Sequence, residues 1–155
     1  MKEYLVDTFN FNSQANKKLL NKIKLLEDKD ECIKLFSHLI NCQYKWMARI
    51  VHDPRVQEMD WWKPVYDIDQ LEKKWDESLK LWIDYINSKS EEELAMEVTF
   101  PGFDGGLYAA TPKDIALQLN YHSIHHRAQM QTIIRKQGVE PDFVDYIGTK
   151  YRKLS

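Results

Sequence analysis

Residues 68–86 read IDQLEKKWDESLKLWIDYI, and within them Ile68, Leu71, Trp75, Leu79, Trp82 and Ile86 recur every three or four positions. An α-helix turns about once in 3.6 residues, so this spacing lines the six apolar side chains along one face and leaves the Lys, Asp and Glu between them to water. Such a stripe needs a facing surface, which predicts a helix packed in a bundle. Working outward, the same pattern appears three more times. From about Asp7 to Leu26 it is carried by Ala15, Leu19, Ile23 and Leu26, and the charged run EDKDE at 27–31 turns the chain. From about Glu31 to His52 it is carried by Leu35, Leu39, Cys42, Trp46 and Ile50, and Asp53-Pro54 closes it, because the residue before proline is pushed out of the helical region. The last helix opens at Thr111-Pro112, with Thr111 as N-cap and Asp114 near the positive end of the helix dipole. It ends at Gly138, with Pro141 beyond.

Between the third and fourth stripes, Ser90 with Glu93 predicts a capped short helix, and VTFPGFDGGLYAA at 98–110 predicts a small hairpin or irregular loop. Four long amphipathic helices with no strand series predict an all-α four-helix bundle, one domain over residues 1–155. The connection over 53–67 reaches about 50 Å when extended, more than the roughly 30 Å of a 20-residue helix. Helices two and three are therefore free to run parallel.

Composition bounds the function. The chain has 155 residues, 43% hydrophobic and 30% charged, with a formal net charge of -2, which supplies no basic field for nucleic acid. No stretch approaches the roughly 18 apolar residues of a membrane helix, and MKEYLVDTFNFN lacks the apolar core of a signal peptide, so the expected location is the cytoplasm. Cys32 and Cys42 are expected to be reduced thiols.

The chemistry lies in the fourth stripe. There, Ile115, Leu119, His122, His126, Gln129 and Ile133 follow one another at intervals of four and three, which turns His122 and His126 toward the core. Two imidazoles at i and i+4 lie one above the other and can reach one metal ion. Buried imidazoles cost free energy unless satisfied, so a stacked pair asks for a shared reason. His38 borders the apolar stripe of helix two and is placed to point across at them. Three histidines from two helices would form a site with an open coordination position, as in a catalytic metal centre. His125 falls off the stripe, and His52 beside Asp53-Pro54 reads as a helix C-terminal residue. Trp61 and Trp62 read as a binding platform or as a lid over the bundle end, and Cys42 as a small hydrophobe more than a nucleophile. A di-iron bundle wants Glu three before its histidine, but Leu119, Ser123 and Leu35 stand there. A zinc-protease helix wants Glu after its first histidine, and Ser123 stands there.

The segments LFSHLINCQYKWMARI (His38, Trp46, Arg49) and HSIHHRAQ (His122, His126, Arg127, Gln129) resemble the DinB-like metal-binding bundle proteins, which include the bacillithiol S-transferases and, more distantly, maleylpyruvate isomerases. FNFNSQANKKLL, with Asn16, is similar to the family's opening helix, and RKQGVEPDFVDYI, with Gly138, Pro141 and Asp145, to its tail. The resemblance implies up-down-down-up topology, one divalent metal on His38, His122 and His126, and a homodimer. His125 is a departure, since that family position is usually aromatic.

Imidazole ligands suit zinc or nickel and accommodate iron or manganese. The expected activity is metal-dependent attack of a low-molecular-weight thiol, or of water as in a hydrolase, on a small electrophile, with Gln129 or His125 beside the ligands in supporting roles. The alternative is a non-catalytic stress or interaction protein in which the metal is structural.

Overall fold

The computed structural model describes all of residues 1–155. Its four long helices are α1 (Lys2–Ile23), α2 (Asp30–Ile50), α3 (Ile68–Ser88) and, after a short α4 (Glu91–Ala95) and a hairpin, α5 (Pro112–Lys136). The hairpin pairs β1 (Val98–Pro101) antiparallel with β2 (Leu107–Ala110). No helix is long and apolar enough to cross a membrane.

Helix directions follow from which residues meet. Phe36 packs edge-on against Trp75, and Trp82 Nε1 donates to the Gln43 carbonyl at 3.0 Å. Both partners advance together by seven residues, so α2 and α3 run parallel. Phe9 stacks on Trp82 while Lys17 pairs with Asp76, so α1 opposes α3. Asn12 meets Asn120 and Asn16 meets Ser123, so α5 runs with α1. The order is up-down-down-up. Each of α1 and α2 packs against both α3 and α5.

The stripe of α3 is the centre of the core: Leu71, Trp75, Trp82 and Ile86 are wholly buried. Burying side chains of this size contributes roughly 1.5–3 kcal/mol each, which is what holds the bundle against the entropy of its chain. The helix α1 starts at Lys2, about a turn and a half before the sequence pattern places it, and buries Leu5 and Phe9. Its stripe was hard to read because it continues through Asn12 and Asn16, both buried and polar. After α5 the chain returns along α1, where Tyr146 Oη and Lys150 Nζ both donate to Asp7 Oδ2, at 2.7 and 2.6 Å.

Two helices end in the same backbone motif. At the end of α5, Gly138 has φ +78°, its N–H donates to the Arg135 carbonyl, and the Val139 N–H donates to the Ile134 carbonyl. At the end of α2, His52 has φ +54°, its N–H donates to Arg49, and the Asp53 N–H donates to Ala48. This double bond closes a helix through a left-handed residue, which a Cβ makes unfavourable. His52 thus terminates α2 through its backbone. His52→Gly is expected to raise the unfolding free energy by about 0.5–1 kcal/mol, read as a higher urea midpoint with the slope unchanged.

Candidate metal centre

The capping of α5 fixes its frame: Thr111 Oγ1 accepts from the Asp114 N–H at 3.1 Å, with Pro112 in the first turn. Along that frame His122 and His126 lie one turn apart on the side facing α2, and His38 projects from α2 between them. The three rings are mutually edge-on, with centroids 4.4 to 4.9 Å apart. Their Nε2 atoms converge: His122 Nε2 is 3.3 Å from His38 Nε2 and 2.9 Å from His126 Nε2.

The outer nitrogens decide what the inner ones carry. His38 Nδ1 lies 2.8 Å from the Trp61 carbonyl, which can only accept, so the proton sits on Nδ1. His126 Nδ1 lies 2.6 Å from Gln129 Oε1, which places its proton there too. Both Nε2 atoms therefore turn lone pairs inward. His122 Nε2 has one proton at most and satisfies one of them, and the only other donor within reach is the Cys42 thiol, 3.6 Å from His38 Nε2. Burial and the neighbouring imidazoles hold His122 down to about 4, and burial lowers His38 and His126 as well. Near pH 7 the cluster is neutral, which is the form that binds a metal. Nitrogens at about 2.0–2.1 Å from a tetrahedral zinc are roughly 3.3 Å apart, close to the separations found. The donor set fits a divalent cation.

Cys42, one turn along α2, places Sγ 3.6 Å from His38 Nε2, and the ligand atoms of His38, Cys42 and His122 lie within 4.8 Å of one another. Burial pushes its thiol up to about 12, so it stays protonated unless a cation displaces the proton. A cleft of about 310 Å³ opens onto the histidines, with Trp46, Trp61, Trp62 and Phe103 among its walls. Trp62 lies flat on His38, centroids 3.8 Å apart and planes within 9°. A larger groove of about 1110 Å³ lies along another face of α2 and contains none of the histidines.

Beneath the cluster is a buried polar network. Arg127 Nη1 donates to Asn12 Oδ1 at 2.8 Å and to Asn16 Oδ1 at 2.9 Å, while Asn12 Nδ2 donates to Asn120 and Asn16 Nδ2 to Ser123. No carboxylate joins it. Burial alone lowers the guanidinium to about 10, still charged at neutral pH. These bonds lock the rotation of α5 against α1 at residues that flank both histidines.

The three histidines named from sequence meet, and Gln129 touches His126. His125 is exposed and stands beside His126, ring centroids 5.0 Å apart, without entering the cluster. The buried face of α5 continues through Met130 and Ile134, whereas Gln129 is exposed and Ile133 half-buried. Intervals of four and three fit either of two adjacent stripes, and Arg127, a charged residue on the buried side, hid the correct one. The outward support of His38 by the Trp61 carbonyl had no sequence signal, since it comes from the backbone of the 53–67 connection.

The chain matches the family model of the DinB superfamily over residues 26–130, a span that takes in His38, His122 and His126. No curated protein matches it.

Proposed function

The chain belongs to the DinB superfamily, and on that premise we propose that it is a divalent-metal-dependent enzyme transferring a low-molecular-weight thiol to a small aromatic or apolar electrophile. The observation that carries the reading is the inward convergence of three Nε2 atoms, two with their Nδ1 protons committed outward, beside an aromatic cleft that His38 and His122 line. His38, His122 and His126 would hold the cation. Bound there, zinc or nickel supplies positive charge that favours the deprotonated form of a thiol or water at neutral pH.

The protein's own contribution is positional. Trp61 and Gln129 fix the ring planes of His38 and His126. The rings of Trp46, Trp61 and Trp62 offer an electrophile apolar walls. The thiol proton leaves to solvent at the mouth, the sulfur electron pair forms the new S–C bond, and the leaving group departs with the pair of the bond that breaks.

The test is protein purified without a metal-affinity tag, loaded with zinc or nickel, and assayed by absorbance with a panel of small thiols and chlorodinitrobenzene. Turnover that chelator abolishes and metal restores is the expected result. Folded, metal-loaded protein inert across the panel would refute the transferase reading and leave the metal a structural role. Trp62→Ala is expected to raise KM for an aromatic electrophile about 2–10-fold with kcat little changed, the worth of one lost aromatic contact. Metal content should not move.

A further inference from the structure

Along α2, Lys45 and Arg49 continue the line that begins with His38 and Cys42, at intervals of four, three and four residues. They share the side of the helix that carries the histidine. Both overhang the same indole: Lys45 Nζ is 4.6 Å and Arg49 Cζ 5.0 Å from the Trp61 ring, and Arg49 also faces Trp46 and Phe100 at 4.8 and 5.0 Å. Arg49 is only 8% exposed, yet neither cation has an ion-pair partner. Arg49 makes one hydrogen bond, to the Pro101 carbonyl, out of five N–H donors, and Lys45 makes one, to the Met59 carbonyl. Asp60, the carboxylate whose charge acts on Lys45, has an oxygen engaged by the Trp62 and Lys63 N–H groups. This corner holds donors and positive charge in excess, which is costly unless an anion completes it.

A cavity of about 160 Å³ opens here, lined by Lys45, Arg49, Val56, Gln57, Pro101, Gly102 and Phe103, with no acidic residue. That is room for roughly five waters, or for a carboxylate or phosphate group. Phe103 also lines the cleft over the histidines, so the two spaces adjoin. Lys45 is seven residues from His38, about 10 Å along the helix.

We propose that Lys45 and Arg49 form a binding site for a compact oxyanion, the carboxylate or phosphate end of a ligand whose other end reaches the three histidines. This names the charge of the substrate, and it rests on the functional reading above only for the ligand's reactive end. Arginine supplies a planar fork and lysine a movable point charge, a pairing suited to an oxyanion.

The experiment is calorimetric titration of inorganic phosphate and, separately, succinate at fixed ionic strength held with chloride, on wild type, Lys45→Gln, Arg49→Lys and His122→Ala. Metal content is measured on the same samples. Saturable binding of at least one anion, weakened about tenfold or more by Lys45→Gln and measurably by Arg49→Lys, and retained in His122→Ala, is the expected result. The tighter of the two probes identifies the oxyanion class. No saturable binding, or binding indifferent to Lys45→Gln, overturns the proposal. So does binding that His122→Ala abolishes and Lys45→Gln spares, because the anion would then sit on the histidine-held cation. Wild type that binds phosphate but takes up no metal at micromolar excess would sink the metal-dependent reading and leave this one standing.

Discussion

His122→Ala is expected to strip the purified protein of metal, with near-stoichiometric zinc or nickel in wild type falling to about a tenth or less by elemental analysis. Its Nε2 is the atom within 3.3 Å of both other imidazoles, so its loss leaves two nitrogens and only the protonated Cys42 thiol beside them. Apparent binding energies of structural zinc, roughly 10–16 kcal/mol over four ligands, assign about 3 kcal/mol to each. That is on the order of a hundredfold in affinity. His38→Ala should behave alike, and His125→Ala, outside the cluster, should keep its metal. Stability supplies a second reading of the same event. A metal present at a hundred times its Kd stabilises the native state by about 2.7 kcal/mol, and a chain of this size shifts Tm by roughly 2–4 °C per kcal/mol. Chelation should therefore lower the wild-type Tm by about 5–10 °C and leave His122→Ala where it was. Wild type that binds no metal at micromolar excess would reduce the cluster to core packing and end the enzyme reading.

How much of this was legible in the sequence depends on which physical rule each element obeys. The α3 stripe and the caps at Ser90 and Thr111 follow local rules, periodicity and hydrogen-bond stereochemistry, and both were readable. His38, His122 and His126 were readable because imidazoles violate the apolar pattern at helical spacing. What stayed hidden was non-local. The outward anchor of His38 is a backbone carbonyl 23 residues away, and no side-chain pattern announces a backbone contact. Asn12 and Asn16 interrupt the apolar stripe of α1, and their partner, Arg127, lies more than a hundred residues along the chain. Polar residues that a distant partner satisfies look like errors until the partner is in place. The fork of Arg49 and the point charge of Lys45 were hidden for the same reason, since the hairpin that walls their cavity arrives some 50 residues later.

Arg127→Ala is expected to be the most destabilising single change outside the apolar core. The side chain is 4% exposed, its charge is balanced by two amide oxygens instead of a carboxylate, and its guanidinium lies 5.2 Å from the Phe11 ring. Truncation leaves Asn12 Oδ1 and Asn16 Oδ1 without their donor in a dry interface, at about 1–3 kcal/mol for each orphaned group, and opens a cavity besides. A loss of about 3–5 kcal/mol follows, a fall in Tm of roughly 10 °C or more at this chain length. The asymmetry of buried polar groups gives the discriminating control. Arg127→Ala strands two amide oxygens and opens a cavity, whereas replacing Asn12, Asn16 and Arg127 together by Leu, Leu and Met removes the guanidinium with both of its acceptors and fills the space, leaving only Asn120 Oδ1 and Ser123 Oγ without their donors, so the triple variant should be more stable than the single one. It should not bind metal equally well. The network sets the rotation of α5 at the residues beside His126 and Ser123, and a helix freed to turn by a few degrees carries both of its imidazoles off the convergence point. The triple variant is therefore expected to melt well above Arg127→Ala while its metal affinity stays about 10–100-fold below wild type, the usual effect of losing a group that orients a ligand. Urea midpoints and competitive metal titrations on the two variants separate these effects. Wild-type affinity in the triple variant would show that the histidines hold their geometry without help from α1.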